Sequence, residues 1–429
     1  MQVLVHGSEL AAATASAALA SVGHHVWWWP HEDMDWTSLN HVAWLNSEPG
    51  LRERLDRHIE RGDLTLVSSL DALRRIDIHW VAVAPDQRES ALERIAQVVN
   101  LLDEPIVLIN NSTFPVGTTE RFESLLPRDD QYAVALPDML EEGRSLETFE
   151  RPARWLLGSE SRVATQRVQE LLRAFNRRED VFQIMPRRAA ELTKLAINGM
   201  LATRISYMNE VAGLSDSLGV DVEYVRQGMG ADPRIGFGYL YPGCGFGGPN
   251  FSRDLMRLAD VQHQTGRESM LLEHVLDINE AKKETLFRKL WQHFDGELRG
   301  RTVAIWGAAF KPGTARIDHA PVLTLLAALW AQGVKVRVHD PAALSALGEA
   351  CGAHPLLELV DGNMYDALEG ADALMLVTEW KCYWNPDWQR LKRTLGASLI
   401  LDGRNIYDPR YVASQGLVYR GIGRRATPD

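Results

Sequence analysis

Residues 2–29 read QVLVHGSELAAATASAALASVGHHVWWW, and this stretch decides the fold class. QVLVH is a short apolar run, LAAATASAALASVG has helical character, and HVWWW is a second short apolar run. The alternation continues with HWVAVA and EPIVLIN as buried strands and ESALERIAQVVNLL as a helix between them. A βαβ series of this kind predicts a parallel, doubly wound α/β sheet. From Pro186 to Leu218 a long helical pattern takes over, with small and apolar residues on a repeating face and Gly219 as a stop. A second helical stretch, ESMLLEHVLDINEAKKETLFRKLWQHF, follows. At Gly300 the strand–helix alternation restarts with RTVAIWG, APVLTLLAALWAQG, VKVRVHD, ADALMLVTEW and SLILDG. The expected architecture is therefore two Rossmann-like domains, 1–190 and 299–429, joined by a helical region over 191–298.

Bulk properties agree with several domains and narrow the partners. The 429 residues exceed what one hydrophobic core organises. A formal net charge of −11 argues against a general nucleic-acid binder. Three cysteines, Cys244, Cys351 and Cys382, have no metal-ligand spacing, and so sparse a set fits a reducing compartment. The start lacks the basic region of a signal peptide, and its alanine-rich run is too short to span a bilayer. The expectation is a cytoplasmic protein without a membrane span.

One loop stands out. Residues 245–254, GFGGPNFSRD, put three glycines in four positions ahead of Asn250. Glycines so dense let backbone approach a ligand closely. Upstream, Lys194 and Asn198 are one helical turn apart and so face the same side.

An ordered series of segments gives the chain a family. LNSEPGL, STFPVGTTE (112–120), LTKLAINGMLATRISYMNE (192–210), DPRIGFGYLYPGCGFGGPNFSRD (232–254), GAAFKPGTARIDHAP (307–321), VHDP, TEW and DGRNIYDP occur in sequence. In this series the chain resembles the UDP-glucose/GDP-mannose dehydrogenases over nearly its full length. The resemblance implies a homodimer formed through the central helix. It also implies oxidation of a sugar C6 alcohol to a carboxylate with two NAD, in which a cysteine thiolate captures the aldehyde as a thioester. That cysteine stands in F-G-G-S-C-F-P-K-D, and the matching residue here is Asn250. An amide, its nitrogen lone pair delocalised, forms no such adduct. Cys244, six positions earlier, is expected to be a small side chain filling a tight loop.

By the same resemblance, Lys194 and Asn198 bind and polarise the reacting oxygen, and Asp254 positions water. Glu142 and Thr113 match catalytic positions, and Asp138 replaces a longer acid. Arg234, Gly245, Phe246, Gly247, Gly248 and Lys311 match nucleotide-sugar positions, whereas Asp318 reverses the charge of an expected arginine.

The cofactor fingerprint G-x-G-x-x-G reads Gly7, Glu9 and Ala12 at its three key positions. Gly7 serves the tight turn and Ala12 is tolerated at the third position. Glu9 adds bulk and negative charge where backbone should meet a pyrophosphate. A like charge ~5 Å away at an effective dielectric of ~20 opposes binding by roughly 3 kcal/mol. The ribose-binding acid is replaced by Pro30, and the turn after the next strand reads Ala84-Pro85-Asp86. A lost charge-assisted hydrogen bond removes roughly 1.5–3 kcal/mol more. Together these changes predict NAD affinity reduced by roughly a thousandfold or more. Trp28 is expected in the core, and one of Trp27 or Trp29 in the adenosine crevice.

The leading expectation is a catalytically silent family member with a binding or scaffolding role in nucleotide-sugar or polysaccharide metabolism. Two alternatives stay open: an NAD(P)-dependent enzyme that stops at the aldehyde, and a nucleotide-sugar sensor.

Overall fold

Strand β1 (Gln2–His6) lies at the centre of the first sheet of this computed structural model, which describes residues 1–30, 42, 45, 47–68, 75–99, 104–175 and 181–424. The chain divides into two units, Met1–Ile197 and Asn198–Asp429.

In the first unit β1 leads through Gly7 into α1 (Leu10–Ser21) and back to β2 (His25–Trp29), as the opening stretch predicts. Helix α1 is buried on nearly all sides: Ala12, Ala13, Ala15, Ala17 and Ala18 have no exposed surface. Only small side chains allow a helix to be packed so closely all round. The chain continues through α2 (Leu51–Arg61), β3 (Leu64–Leu66), β4 (Ile78–Val81), α3 (Arg88–Val99) and β5 (Val107–Asn110). It then runs through α4 (Thr118–Ser124), β6 (Tyr132–Ala135), α5 (Ser145–Glu150), β7 (Trp155–Gly158), α6 (Arg162–Leu171) and β8 (Phe182–Met185). The strand order is β3-β2-β1-β4-β5-β6-β7-β8, with only the β6–β7 pair antiparallel. Strands β3 to β6 give the 3-2-1-4-5-6 order of a dinucleotide-binding fold.

The long helix α7 (Arg187–Leu218) carries the chain from the first unit into the second. The second unit continues with α8 (Val222–Ala231), α9 (Phe251–Gln264), α10 (Met270–Lys283) and α11 (Thr285–His293). A six-stranded parallel sheet follows in the order β11-β10-β9-β12-β13-β14. It is built from β9 (Thr302–Trp306), β10 (Lys335–His339), β11 (Leu357–Leu359), β12 (Ala373–Leu376), β13 (Leu399–Asp402) and β14 (Val418–Gly421). Its order repeats that of β3 to β6 in the first sheet, so the two α/β halves share a six-stranded topology that β7 and β8 extend in the first. Among the described residues no helix is long and apolar enough to cross a membrane.

Candidate functional site

The turn after β1 requires Gly7. Its φ is +127°, and a Cβ there would lie 2.0 Å from the Ala82 carbonyl oxygen. Trp28 is fully buried and donates its indole N–H to the Gly7 carbonyl at 2.7 Å, so it belongs to the core as expected. Glu9 precedes α1 in extended conformation, is exposed and makes no side-chain cap. Ala12 is fully buried in α1. At the end of β2, Pro30 is buried and offers a carbonyl oxygen but no side-chain acceptor. That oxygen accepts from both terminal nitrogens of Arg94, each at 3.3 Å. Trp27 and Trp29 are half-buried on the sheet face opposite Trp28.

Thr113, Glu142 and Lys194 fall in the first unit. Thr113 is buried in the loop between β5 and α4. That loop is tied down by Glu191 near the start of α7, whose carboxylate accepts from Gly117 N at 2.6 Å, Thr119 N at 2.9 Å and Thr119 Oγ1 at 2.6 Å. Burial nonetheless pushes the Glu191 carboxyl above its ordinary range. Glu142 is half-buried between β6 and α5. Buried Glu48 holds the residues just after it, accepting from Gly143 N and, at 3.0 Å, from Ser145 N. Asp138 accepts from Leu140 N at 2.7 Å, and Lys194 is half-buried on α7.

Asn198, Asn250 and Asp254 fall in the second unit, where they belong to one hydrogen-bonded chain. Asn198 Nδ2 donates to Asp254 Oδ2 at 2.6 Å. Arg253 Nε donates to Asp254 Oδ1 at 3.0 Å, and Arg253 Nη2 to Asn250 Oδ1 at 2.9 Å. Asp254 is fully buried, whereas Asn250 is exposed ahead of α9. The carboxylate is thus held on both oxygens, and the Asn250 amide oxygen is engaged by the same arginine.

The glycine loop packs against protein backbone and side chains. Cβ atoms on Gly247 and Gly248 would lie 2.8 Å from the His319 carbonyl oxygen and 2.7 Å from the Phe310 ring, respectively. Asn279 pairs with the Phe246 backbone, accepting from its N–H at 2.8 Å and donating to its carbonyl at 3.0 Å. Gly245, at φ +93°, sits against the same asparagine. Cys244 is fully buried, and burial pushes its thiol up, which is the reverse of nucleophile activation.

Beside this loop a cavity of about 700 Å³ is lined by Arg226, Arg404, Tyr239, Tyr241 and Phe246, among others. Arg226 lies 4.5 Å from the Tyr241 ring centroid, and Arg404 donates to the Val377 carbonyl at 2.6 Å and to the Gly245 carbonyl at 3.3 Å. Lys311 is half-buried, its ammonium 5.8 Å from the Phe310 ring centroid. Asp318 pairs with Arg316 at 2.8 and 3.1 Å, which holds its carboxyl below the usual range and offsets its charge. Arg234 is exposed and paired with Asp232 at 2.5 Å. Glu223 pairs with Arg226 at 2.6 Å and Glu379 with Arg404 at 3.1 Å, so the cavity combines aromatic faces with arginines whose charge is partly offset.

Residues 1–176 match the NAD binding domain of the UDP-glucose/GDP-mannose dehydrogenase family, 188–281 its central domain, and 304–409 its UDP binding domain. The chain belongs to the UDP-glucose/GDP-mannose dehydrogenase family. It is 40% identical over 396 residues to a UDP-glucose 6-dehydrogenase of Pseudomonas aeruginosa, covering 88% of this chain and 87% of that one. It is 29% identical to UDP-glucose 6-dehydrogenase TuaD of Bacillus subtilis, covering 99% and 94%. Among solved structures, a UDP-glucose dehydrogenase from Pyrobaculum islandicum superposes with a TM-score of 0.86 at 26% identity, covering 98% of this chain and 97% of that one. A UDP-D-ManNAc dehydrogenase from Pyrococcus horikoshii shares the fold, with a TM-score of 0.83 at 23% identity and 99% of each chain covered.

Three residues of these loops escape sequence reasoning, Glu48, Glu191 and Arg316, whereas Arg253 stands where the family motif has lysine and only its bonds are new. Each of the three is a single charged residue with no periodic or spacing signal. Arg316 sits beside residues that the motifs do single out, whereas Glu48 and Glu191 meet loops 95 and 74 positions away.

Proposed function

We propose that this chain binds a nucleotide sugar and does not oxidise it. The observation that carries this reading is Asn250, which stands where the family resemblance puts the thiolate, with its amide oxygen engaged by Arg253. No side-chain atom there forms a thioester, and Cys244 is a buried, unactivated thiol. Glu9 and Pro30 extend the same reading to the cofactor: the turn at Gly7 keeps the dinucleotide-binding shape, while the charge at Glu9 and the absent acceptor at Pro30 disfavour NAD.

The nucleotide sugar is assigned to the second unit. The cavity beside the glycine loop receives the base and phosphates, with Arg404 as the cation and Tyr239, Tyr241 and Phe246 as apolar walls. Lys311 and Arg234 keep the phosphate-binding roles that the resemblance gives them. Asn198 and Asp254 are assigned to the sugar without turning it over, and Lys194, Glu142 and Thr113 of the first unit keep only the roles that the resemblance gives them. The domain division stays at 1–190, 191–298 and 299–429. A homodimer through α7 is supported by Met200, Tyr207 and Leu214, which are 61%, 55% and 59% exposed and recur every seven residues. The role is binding or scaffolding in nucleotide-sugar or polysaccharide metabolism.

Calorimetric titration with UDP-glucose tests the binding half of this reading. Saturable heat, lost on Arg404→Ala, is expected. Absence of binding by UDP-glucose, UDP-N-acetyl sugars and GDP-mannose alike would leave scaffolding alone.

A further inference from the structure

In dinucleotide-binding folds the end of the second strand reads the adenosine ribose. An acid there accepts from the 2′-hydroxyl of NAD, and a nearby arginine accommodates the 2′-phosphate of NADP. Here β2 ends at Trp29 and Pro30, and Arg94 reaches the same point from α3. The Arg94 guanidinium carbon lies 3.6 Å from the Trp29 ring centroid. Both terminal nitrogens turn to the Pro30 carbonyl, at 3.3 Å each. These bonds are long and share one acceptor, and the buried Nε has no hydrogen-bond partner. Among the described residues no carboxylate pairs with Arg94. Burial lowers its pKa only to about 10, so it remains a cation at neutral pH.

A half-buried cation held flat on an indole, its two terminal nitrogens sharing one carbonyl acceptor through long bonds, is a preformed anion subsite. We propose that Arg94, Trp29 and Pro30 form a subsite for a phosphoryl group on the adenosine ribose, so that the crevice prefers a 2′-phosphorylated nucleotide of the NADP class over NAD. This rests on the reading above that the end of β2 no longer serves the NAD ribose. Pro30 removes the acid that would repel such a phosphate, and Arg94 supplies the charge that attracts it.

The test compares adenosine 2′,5′-bisphosphate with 5′-AMP by calorimetry on the intact protein. The two differ only in the 2′-phosphate, and neither contains a pyrophosphate for Glu9 to oppose. The bisphosphate is expected to bind about tenfold tighter or more, as a charge-assisted contact implies. Arg94→Gln should remove the preference and Arg94→Lys retain part of it. Equal affinities, binding of neither ligand, or a preference that survives Arg94→Gln would overturn the proposal. The comparison on the unaltered protein stands even where a variant fails to fold. No sugar nucleotide is present, so the result is independent of whether the protein oxidises one.

Discussion

Asn198 donates its side-chain amide to the fully buried carboxylate of Asp254 across 2.6 Å. This contact joins α7 to α9 at the base of the glycine loop. Asn198→Ala would leave one oxygen of a buried carboxylate unpaired and is expected to lower stability by about 1–3 kcal/mol. Urea denaturation measures it, and a change within about 0.5 kcal/mol, as for an ordinary surface substitution, would contradict the structural role.

The loop glycines make a graded prediction. Gly248→Ala adds a Cβ 2.7 Å from the Phe310 ring at φ +90°, whereas Gly236→Ala at φ +68° adds one into open space. The second change carries only the backbone penalty of roughly 1–2 kcal/mol. The first adds overpacking of about 1–3 kcal/mol. Thermal melts of the two variants should rank Gly248→Ala as the less stable, and the reverse order would contradict the packing described here.

Acid should weaken the first unit through His79. This residue is fully buried in β4, its Nδ1 is 3.2 Å from Nε2 of His6, and burial lowers its pKa to about 3. The unfolded chain protonates it near its ordinary value, so between the two values the unfolded state binds the extra proton. Stability is therefore full above about pH 6.5 and falls as the pH drops toward 3, by about 2 kcal/mol at pH 5. Denaturation across this range should show the slope, and His79→Leu should flatten it. An unchanged slope in the variant would assign the acid sensitivity elsewhere.

Much of the fold is legible in the sequence because its central strands are continuous apolar runs. QVLVH, HVWWW, RTVAIWG and VKVRVHD fall on β1, β2, β9 and β10. The edge strands β3 and β11 have three residues each, too few for a period to show. At the site, motif order brings out Asn250 and Asp254, and Arg253 only as a departure from the family's lysine; its bonds to residues three positions before it and one after are not legible there. Asp318 reads as a charge opposed to a diphosphate, and the structure pairs it with Arg316. The glycines read as ligand contacts, yet several are required by the protein's own packing. Close approach of backbone looks the same in sequence whichever partner approaches.

Restoring the sulfur alone should not restore the chemistry. Asn250→Cys would place a thiol beside Arg253, but Glu9 and Pro30 would still disfavour NAD. UDP-glucose-dependent NADH formation is expected to remain at background in this variant. Recovery by that single change would show that the cofactor crevice is competent and that Asn250 alone silences the protein.

The most direct test is turnover by the unaltered protein. Purified chain is incubated with UDP-glucose, UDP-N-acetyl sugars or GDP-mannose, with NAD or NADP in excess, and reduced nicotinamide is followed by absorbance. The account predicts no reduction above the sugar-free control with any pair. Sustained, sugar-dependent reduction, whether by two electrons to an aldehyde or four to a carboxylate, would contradict it.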